Sequence, residues 1–313
     1  ILMKTIVTFT MNPAIDKSSS VEHVVAEHKL YCTPPRFEPG GGGVNVSRAI
    51  KKLGGESLLV YPAGGLTGKR LQELLDEEGL NHRPFPIQGM IRESLVILEE
   101  STGQQYRFGM PGPKLRKKEW EQFLQELLVM EPPPDYVVVS GSLPPGVPSD
   151  FYAQIARIAK KKGAKTIVDV SGKALKEALE EGVFLIKPNV REFRELVGEE
   201  IKEESQIKAE ARKMIESSRC EVLVISLGAG GALLVSEKIA EHILPPTVPI
   251  ISKVGAGDSM VAGITLSLAR GKPLRESVLF GVAAGTAAVM TPGTELCRRE
   301  DTERLFEGLV SGL

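Results

Sequence analysis

The chain is poor in the residues that build disulfide frameworks and zinc sites. Its 313 residues contain only three cysteines, which are far apart and form no Cys-x-x-Cys pair, and four histidines without His-x-x-x-His spacing. Scattered cysteines are typical of a reducing compartment, and neither residue type has the spacing of metal ligands. The sequence therefore predicts neither disulfides nor a zinc centre.

Long apolar runs and a surplus of one charge are also missing. No apolar run approaches the ~18 residues that a membrane span needs, and 39 Lys and Arg balance 40 Asp and Glu. Proteins whose main partner is a nucleic acid usually carry a basic surplus. We therefore expect a cytoplasmic globular protein that binds neither membranes nor nucleic acids.

Two common nucleotide-binding fingerprints are absent. Gly64–Arg70 resembles a Walker A loop, but only three residues separate its glycines, and Arg70 stands where Ser or Thr is required. None of the glycine clusters satisfies Gly-x-Gly-x-x-Gly. A P-loop enzyme and a dinucleotide-dependent dehydrogenase are both disfavoured.

What the chain does contain is an alternation of short apolar runs with amphipathic stretches. Continuous apolar strands alternating with helices predict an α/β fold whose mainly parallel sheet is covered on both faces. The region from Asp258 to Met290 predicts two long helices broken at Gly271–Pro273. The predicted strands are Ile6–Phe9, Ser57–Tyr61, Tyr136–Val139, Thr166–Val170, Phe184–Ile186, Val222–Ser226 and Ala232–Val235; the other predicted helices are Val44–Leu53, Gly68–Glu78, Lys117–Met130, Asp150–Lys162, Lys173–Glu181 and Glu204–Ser217.

Two segments, 18–38 and 92–110, show the alternation of half-buried β-strands instead. They predict a small antiparallel sheet inserted into an α/β body formed by residues 1–17, 39–91 and 111–313. A small open sheet cannot bury its second face alone. We expect it to act as a lid over a ligand and to contact a second copy of the chain.

The turn Gly255-Ala256-Gly257-Asp258 carries the strongest chemical signal. Two glycines permit a tight turn whose N–H groups point one way, and the helix that follows adds its positive end, so the turn suits a phosphoryl group. Asp258 could be a simple helix cap. A carboxylate beside an anion-binding turn is also what general-base phosphorylation of a hydroxyl needs.

Three further loops follow predicted strands or precede predicted helices. The glycines from Gly40 to Gly43, with Asn45, indicate close backbone approach to a polyol, and Asp16 lies near the carboxyl edge of the sheet, where ligands bind. Asn189 and Glu192 are spaced either for a capping box or for hydrated Mg²⁺. The turn Ser226–Gly231 could lie against a nucleotide, although many such loops look alike.

Together these motifs identify the chain as similar to the PfkB family of ribokinase-like carbohydrate kinases. Residues 40–49 resemble the first signature of the family and residues 254–259 the second, and the resemblance extends from Asn12 to Thr294. Segments 106–108, 140–146 and 292–294 are similar to its phosphosugar branch, closest to the minor bacterial 6-phosphofructokinases. Tyr31 and Glu295 stand where that subgroup has arginines.

The resemblance implies ATP-dependent phosphorylation of a hexose phosphate, with fructose 6-phosphate favoured. Tagatose 6-phosphate and fructose 1-phosphate remain alternatives within the branch, and a non-catalytic sugar-phosphate or nucleotide sensor remains one outside it. Lid cations such as Lys29, Arg92 and Arg107 independently favour a phosphorylated substrate. The implied partners are a small sugar phosphate and a second subunit, which forms a homodimer through the lid.

The resemblance also implies roles for individual residues. They are Asp258 as base with Gly255, Ala256 and Gly257 as anion hole; Asp16, Lys29, Gly41, Gly42, Asn45, Arg92 and Ser140 for the sugar phosphate; Lys187, Asn189, Ser226, Leu227, Gly228 and Gly231 for ATP; Asn189 and Glu192 for Mg²⁺ through water; and Ser252, Val254, Ala288, Thr291 and Gly293 for K⁺.

Overall fold

The computed structural model describes residues 4–198, 201 and 203–311, and its strands form two separate sheets. Nine of the described strands make one sheet in the order β13-β12-β11-β10-β9-β8-β1-β4-β5, and four make a second in the order β3-β2-β6-β7. The strands are β1 (Ile6–Phe9), β2 (Ala14–Val21), β3 (Arg36–Gly40), β4 (Leu58–Ala63), β5 (Asn81–Pro86), β6 (Arg92–Glu99), β7 (Gln105–Phe108), β8 (Tyr136–Ser140), β9 (Lys165–Asp169), β10 (Val183–Ile186), β11 (Cys220–Ser226), β12 (Ala232–Ser236) and β13 (Ala240–Ile243).

Helices cover both faces of the large sheet. They are α1 (Gly42–Lys52), α2 (Gly65–Glu77), α3 (Lys117–Val129), α4 (Phe151–Lys161), α5 (Gly172–Leu179), α6 (Val190–Val197), α7 (Glu204–Glu216), α8 (Ala256–Ala269), α9 (Leu274–Val289) and α10 (Arg299–Ser311). The predicted break between the two long helices is confirmed, since α8 ends before Gly271–Pro273 and α9 follows it. None of the described helices combines the length and apolar character that a bilayer-crossing segment needs.

The predicted fold class is confirmed: the large sheet is parallel except at β12 and β13. Its strands are apolar on both sides because each face carries a core. Phe9 packs into the cluster beneath α3 and α4, whereas Ile6 on the same strand packs into the cluster beneath α1 and α8. Burying one such side chain stabilises the fold by roughly 1.5–3 kcal/mol.

Sequence analysis did not predict the two edge strands, β5 and β13. Strand β5 contains Pro84 and Pro86, and proline in a sequence argues against a strand. An edge strand nevertheless tolerates proline, because the N–H groups on its outer side have no partner strand. Strand β13 has only four residues and no continuous apolar run. Helices α6 and α10 were likewise not on the list of predicted helices.

The small sheet exists, but its predicted antiparallel arrangement is wrong for the central pair. Strands β2 and β6 pair in parallel from Ala14↔Arg92 to Val21↔Glu99, while the outer pairs are antiparallel. Both central strands leave the body at the same edge, so they run in the same direction. Strand β2 begins at Ala14 and β3 ends at Gly40, so both extend into ranges assigned to the body; the domain limits stay a prediction.

Candidate active site

A cavity with a volume of about 550 Å³ lies between the small sheet and the carboxyl edge of the large sheet. A larger cavity, with a volume of about 1220 Å³, lies at the opposite edge of the large sheet, at the start of β9, β10 and β11. None of the predicted site residues lines it. The size of a cavity alone therefore does not identify the candidate active site. Of the predicted site residues, the smaller cavity is lined by Asp16, Gly41, Gly42, Asn45, Arg92, Val254, Gly255 and Asp258.

Asp258 lies in the first turn of α8, and its carboxyl group is held from one side. Asn45 Nδ2, on α1, donates a hydrogen bond of 2.9 Å to Asp258 Oδ2. Among the described residues, neither Asp258 Oδ1 nor the buried Asn45 Oδ1 has a hydrogen-bond partner. Both oxygens can therefore accept a hydrogen bond from a ligand hydroxyl. A carboxylate that served only as a helix cap would already be bonded to backbone N–H groups.

The environment of Asp258 makes its carboxyl group a stronger base than an ordinary aspartate. Burial raises its pKa to about 7, and the nearby Asp169 carboxylate adds to the rise, while Asn45 and Lys187 lower it. A base whose pKa lies close to the working pH can both accept and release a proton readily. The raised pKa supports the predicted role, although it does not by itself identify the substrate.

The predicted glycine turn has the geometry of an anion site. Gly255 has φ +75°, a left-handed conformation that favours glycine, and a Cβ there would collide with the Leu296 side chain. The first helical hydrogen bond runs from Ser259 N to Gly255 O, so the preceding amides of α8 are free of intrahelical partners. These amides and the positive helix end belong to the same first turn as Asp258.

Lys187 supplies a positive charge next to this turn. Its Nζ is 3.1 Å from Asp169 Oδ1, both side chains are largely buried, and a Cβ at Gly257 would lie 3.2 Å from the same ammonium. Burial opposes the lysine charge, but Asp169, Asp258 and Glu192 outweigh it and raise the Lys187 pKa. Sequence analysis did not single out Asp169; its only signal was its position at the end of a buried strand.

The glycine loop before α1 packs directly on the floor of the site. A Cβ at Gly42 would collide with Ser140 Oγ, so glycine permits the close approach. Thr10 Oγ1, also missed by sequence analysis, accepts a hydrogen bond of 2.7 Å from Gly43 N and donates one to Ser140 O. Ser140 is buried beneath the loop and does not line the cavity in this structure.

The small sheet contributes cations and one acid to the cavity. Arg92 and Arg107 both line it, and Arg92 is held by hydrogen bonds to the carbonyl oxygens of Asn12 and Met110. Asp16 faces them; burial raises its pKa, and Arg92 opposes that rise. Asp16, Arg92 and Arg107 thus line one cavity, and the roles of Asp16 and Arg92 in holding the sugar phosphate stay predictions.

Lys29 is not brought to the cavity of the single chain. It lies on the exposed loop between β2 and β3, and its Nζ is 5.1 Å from the centroid of the Tyr31 ring. Its role in binding the substrate phosphate therefore stays a prediction.

The loops predicted to hold a nucleotide lie side by side. Asn189 and Ser226 form an isolated parallel bridge, and Ser226 N donates a 3.0 Å hydrogen bond to Pro188 O. Gly228 begins the short 3₁₀ turn that follows β11, and Leu227 N bonds to Gly231 O across it. The two segments thus form one continuous surface at the carboxyl edge, beside Lys187.

Asn189 and Glu192 form the capping box that was the alternative to a magnesium role. Asn189 Oδ1 accepts from Glu192 N, and Glu192 Oε2 accepts from Asn189 N, each at 2.9 Å. The described residues contain no group of three or more His, Cys, Asp or Glu side chains that could hold a metal. Hard-oxygen chemistry fits Mg²⁺, but these residues would hold it through water. Glu192 Oε2 is used by the cap, which leaves Oε1 without a hydrogen bond from the part of the chain that the structure describes.

The five residues predicted for K⁺ lie in two segments that contact each other. Ser252 Oγ donates to Gly293 O at 3.2 Å, and Thr291 Oγ1 donates to Ala288 O and Leu296 O at 2.8 and 2.9 Å. Both hydroxyl residues are buried. A donor set of neutral carbonyl and hydroxyl oxygens fits a large monovalent cation. Glu295 instead pairs with Arg298 on the outer side, at 2.7 Å.

Comparison with known proteins agrees with this arrangement. Residues 9–301 match the family model described as pfkB family carbohydrate kinase. The chain is 46% identical over 302 residues to ATP-dependent 6-phosphofructokinase isozyme 2 of Mycobacterium tuberculosis (strain ATCC 25618 / H37Rv), covering 96% of this chain and 89% of that relative.

Solved structures of phosphofructokinase-2 from Escherichia coli are similar over nearly the whole chain. The complex with potassium has a TM-score of 0.95 at 41% identity, and the complex with fructose-6-phosphate has a TM-score of 0.93 at 40% identity. Each comparison covers 98% of this chain and 100% of the other. The predicted family resemblance is confirmed.

Proposed function

The chain belongs to the pfkB family of carbohydrate kinases, and from this premise we propose that it transfers the γ-phosphoryl group of ATP to the C1 hydroxyl of fructose 6-phosphate, forming fructose 1,6-bisphosphate. One observation carries the proposal: Asp258, held by Asn45, and Gly255 of the glycine turn line the same cavity as Arg92 and Arg107 of the lid. A base, an anion site and a cationic wall are the three groups that phosphorylation of a sugar phosphate requires.

The cationic wall supports a substrate that already carries a phosphate. Arg92, Arg107 and Lys253 all line the cavity. A guanidinium binds a phosphate with two parallel hydrogen bonds, whereas an unphosphorylated sugar is better bound by neutral groups. The relatives named above include a 6-phosphofructokinase and a structure in complex with fructose-6-phosphate, a sugar that already carries a phosphate.

In the proposed reaction, the C1 hydroxyl donates to Asp258 Oδ1 while Asn45 fixes the other carboxylate oxygen. As the proton moves to Asp258, the hydroxyl oxygen forms a bond to the γ-phosphorus and the bond to the ADP oxygen breaks. The amides of Gly255–Gly257 and the Lys187 ammonium stabilise the negative charge on the transferring group. Asp16 and Asn45 Oδ1 accept hydrogen bonds from the sugar hydroxyls.

The nucleotide is proposed to lie on the surface formed by 187–189 and 226–231. Lys187 would then neutralise its phosphates. Asn189 and Glu192 would hold Mg²⁺ through water, and the ion would supply further charge neutralisation when bound. The oxygens at Ser252, Val254, Ala288, Thr291 and Gly293 would hold K⁺ next to the Gly255 turn.

A direct test is ADP release measured against fructose 6-phosphate, tagatose 6-phosphate, fructose 1-phosphate and the free sugars, each with saturating Mg·ATP. We expect the highest kcat/KM for fructose 6-phosphate and very low rates with free fructose. Free fructose has no phosphate to pair with Arg92 and the other cations that line the cavity. No ADP release with any phosphorylated sugar, despite binding, would favour the sensor alternative. A higher kcat/KM for tagatose 6-phosphate would change the assigned substrate.

The proposed base predicts an acid limb in the pH profile. Because the raised pKa of Asp258 keeps its carboxyl group protonated below pH ~7 in the free enzyme, kcat/KM should fall as pH decreases through that value. Asp169→Asn removes a negative neighbour and should move the limb to lower pH, since both that loss and the unpaired Lys187 favour the Asp258 anion. The substrate phosphate also titrates near pH 6, but its pKa does not depend on the variant. A limb at the same pH in both proteins would contradict the assignment.

We also propose a homodimer that forms through the small sheet. Paired positions put Phe37, Lys17, Leu95 and Phe108 in one row across the sheet, on the face opposite Asp16, and the first and last of these are 40% and 49% exposed. A second copy of the chain would cover Phe37, Leu95 and Phe108, the three apolar side chains of this row. A monomer in sedimentation equilibrium at micromolar concentration would contradict the proposal.

A further inference from the structure

Arg48, on α1, is a buried charge without a role in the chemistry proposed above. Its side chain is 2% exposed and is among the largest fully buried side chains of the described residues. Burial of a guanidinium is costly unless its donors are paired. The identity of its partners therefore indicates what the buried charge is for.

The two edges of the Arg48 guanidinium have different partners. On one edge, Nε and Nη2 donate to the Glu78 carboxylate at the end of α2, with bonds of 2.6 to 3.0 Å. On the other edge, Nη1 donates to two backbone carbonyls, Pro39 O and Thr294 O, both at 3.0 Å. The bonds to Glu78 alone would only link α1 to α2. The two carbonyls, however, belong to the end of β3 and to the segment between α9 and α10, both of which border the site.

Pro39 O lies next to the residues proposed to bind the sugar, and Thr294 O lies next to those proposed to bind K⁺. Pro39 immediately precedes the glycine loop, where Asp16 packs against Gly40. Thr294 follows Gly293 in the segment proposed for K⁺ and itself lines the sugar cavity. A second link runs in parallel, because Thr294 Oγ1 donates to Glu38 Oε2 at 2.9 Å, and Glu38 is 3.8 Å from Arg48 Nη2.

We propose that Arg48 is a positioning residue that couples binding of a monovalent cation at segment 288–294 to binding of the sugar phosphate at loop 39–43. This proposal rests on the function proposed above. Because one planar donor group holds both carbonyls, an adjustment of either segment changes the geometry offered to the other. Lysine at this position carries the charge but cannot reproduce the fork that bonds both carbonyls and Glu78 together.

The competing explanation is that Arg48 only stabilises the packing of α1 against α2. Loss of such a link lowers stability without changing how one ligand affects the affinity for another. Coupling is measured as a ratio of dissociation constants and is reciprocal between the two ligands. That ratio separates a positioning role from a purely structural one.

The test is calorimetric titration of the full chain with fructose 6-phosphate, without ATP, in K⁺ or in tetramethylammonium at equal ionic strength. For the parent protein we expect K⁺ to tighten binding by about fivefold or more, the lower range of usual couplings. Arg48→Lys should reduce this ratio to within about twofold of unity. Glu78→Gln changes only the opposite edge of the guanidinium, so it should lower the melting temperature and keep the ratio of the parent.

Thr294→Val provides a second variant that keeps Arg48 and its backbone acceptor Thr294 O and removes only the hydrogen bond to Glu38 Oε2, so it should lower the ratio by a smaller factor. An unchanged ratio in Arg48→Lys, or in Thr294→Val if the first variant does not fold, would overturn the proposal. A parent protein whose affinity is the same in both salts would also overturn it. Failure of the proposed function is distinct, because it would appear as no binding of fructose 6-phosphate by the parent in either salt.

Discussion

Asp258→Asn is expected to lower kcat by a factor of ~10²–10⁴ while the protein keeps its fold, since a positioned general base contributes about that much. Asparagine preserves the shape of the side chain and can still bond to Asn45, but it cannot accept the hydroxyl proton. The measurement is steady-state ADP release at pH 8, where the parent carboxyl group is ionised. Asp150→Asn, at the exposed N-cap of α4, is the matched control and should leave kcat unchanged.

The same variant should be more stable than the parent above neutral pH. Folding raises the Asp258 pKa from 3.8 to about 7. The protonated carboxyl group therefore makes its full contribution to the free energy of unfolding below pH 3.8, and this contribution is lost as pH rises through 7. At about 1.4 kcal/mol per pKa unit, permanent neutrality should stabilise the variant by a few kcal/mol at pH 8.

Thermal unfolding across pH tests this point separately from kinetics. The melting temperature of Asp258→Asn should exceed that of the parent at pH 8, and the gap should shrink as pH falls toward 4. A kcat within tenfold of the parent would remove Asp258 from the role of base. Equal melting temperatures at pH 8 would show that the site does not destabilise the carboxylate.

Arg92→Ala is expected to raise KM for fructose 6-phosphate by ~10–100-fold and to change KM for ATP by much less. Hydrogen bonds to charged groups contribute ~1.5–3 kcal/mol, and each 1.4 kcal/mol is tenfold in affinity. The asymmetry follows from geometry: Arg92 lines the sugar cavity from the first position of β6, whereas the nucleotide surface lies beside Lys187.

The control for this variant is Arg70→Ala, because Arg70 is an exposed arginine of α2 whose partners are the exposed Glu73 and Glu77. It should leave both KM values unchanged. Similar increases for sugar phosphate and ATP in Arg92→Ala would show that Arg92 supports the fold of the lid generally. The substrate phosphate would then need another ligand.

Some of the site could be predicted because its parts are local in sequence. Gly255, Gly257 and Asp258 lie within one turn of a helix, so residue types and spacing alone define both the anion site and the position of the acid. The strand–helix alternation was equally readable, since the strands of a covered parallel sheet are apolar on both faces. Asn189 and Glu192 were also read correctly as a pair, although spacing did not decide between a cap and a metal ligand.

Other parts depend on contacts between distant segments. Asp169 ends β9 and Lys187 directly follows β10, so the two meet only because β9 and β10 are neighbours in the sheet. Arg48 reads as one more polar residue of an amphipathic helix until its bonds to Pro39, Thr294 and Glu78 are seen. Lys29 is exposed in the single chain, so its role as a substrate ligand is neither supported nor contradicted by the fold of one copy and stays a prediction.

The sequence by itself determined the fold class, the family and the identity of the proposed base, because these depend on periodicity and on motifs that span a few residues. Only the tertiary structure decided the pKa of Asp258, the pairing of Lys187, the parallel centre of the lid and the junction at Arg48. Each of these depends on burial and on distances between segments far apart in the chain, and neither quantity is present in local spacing.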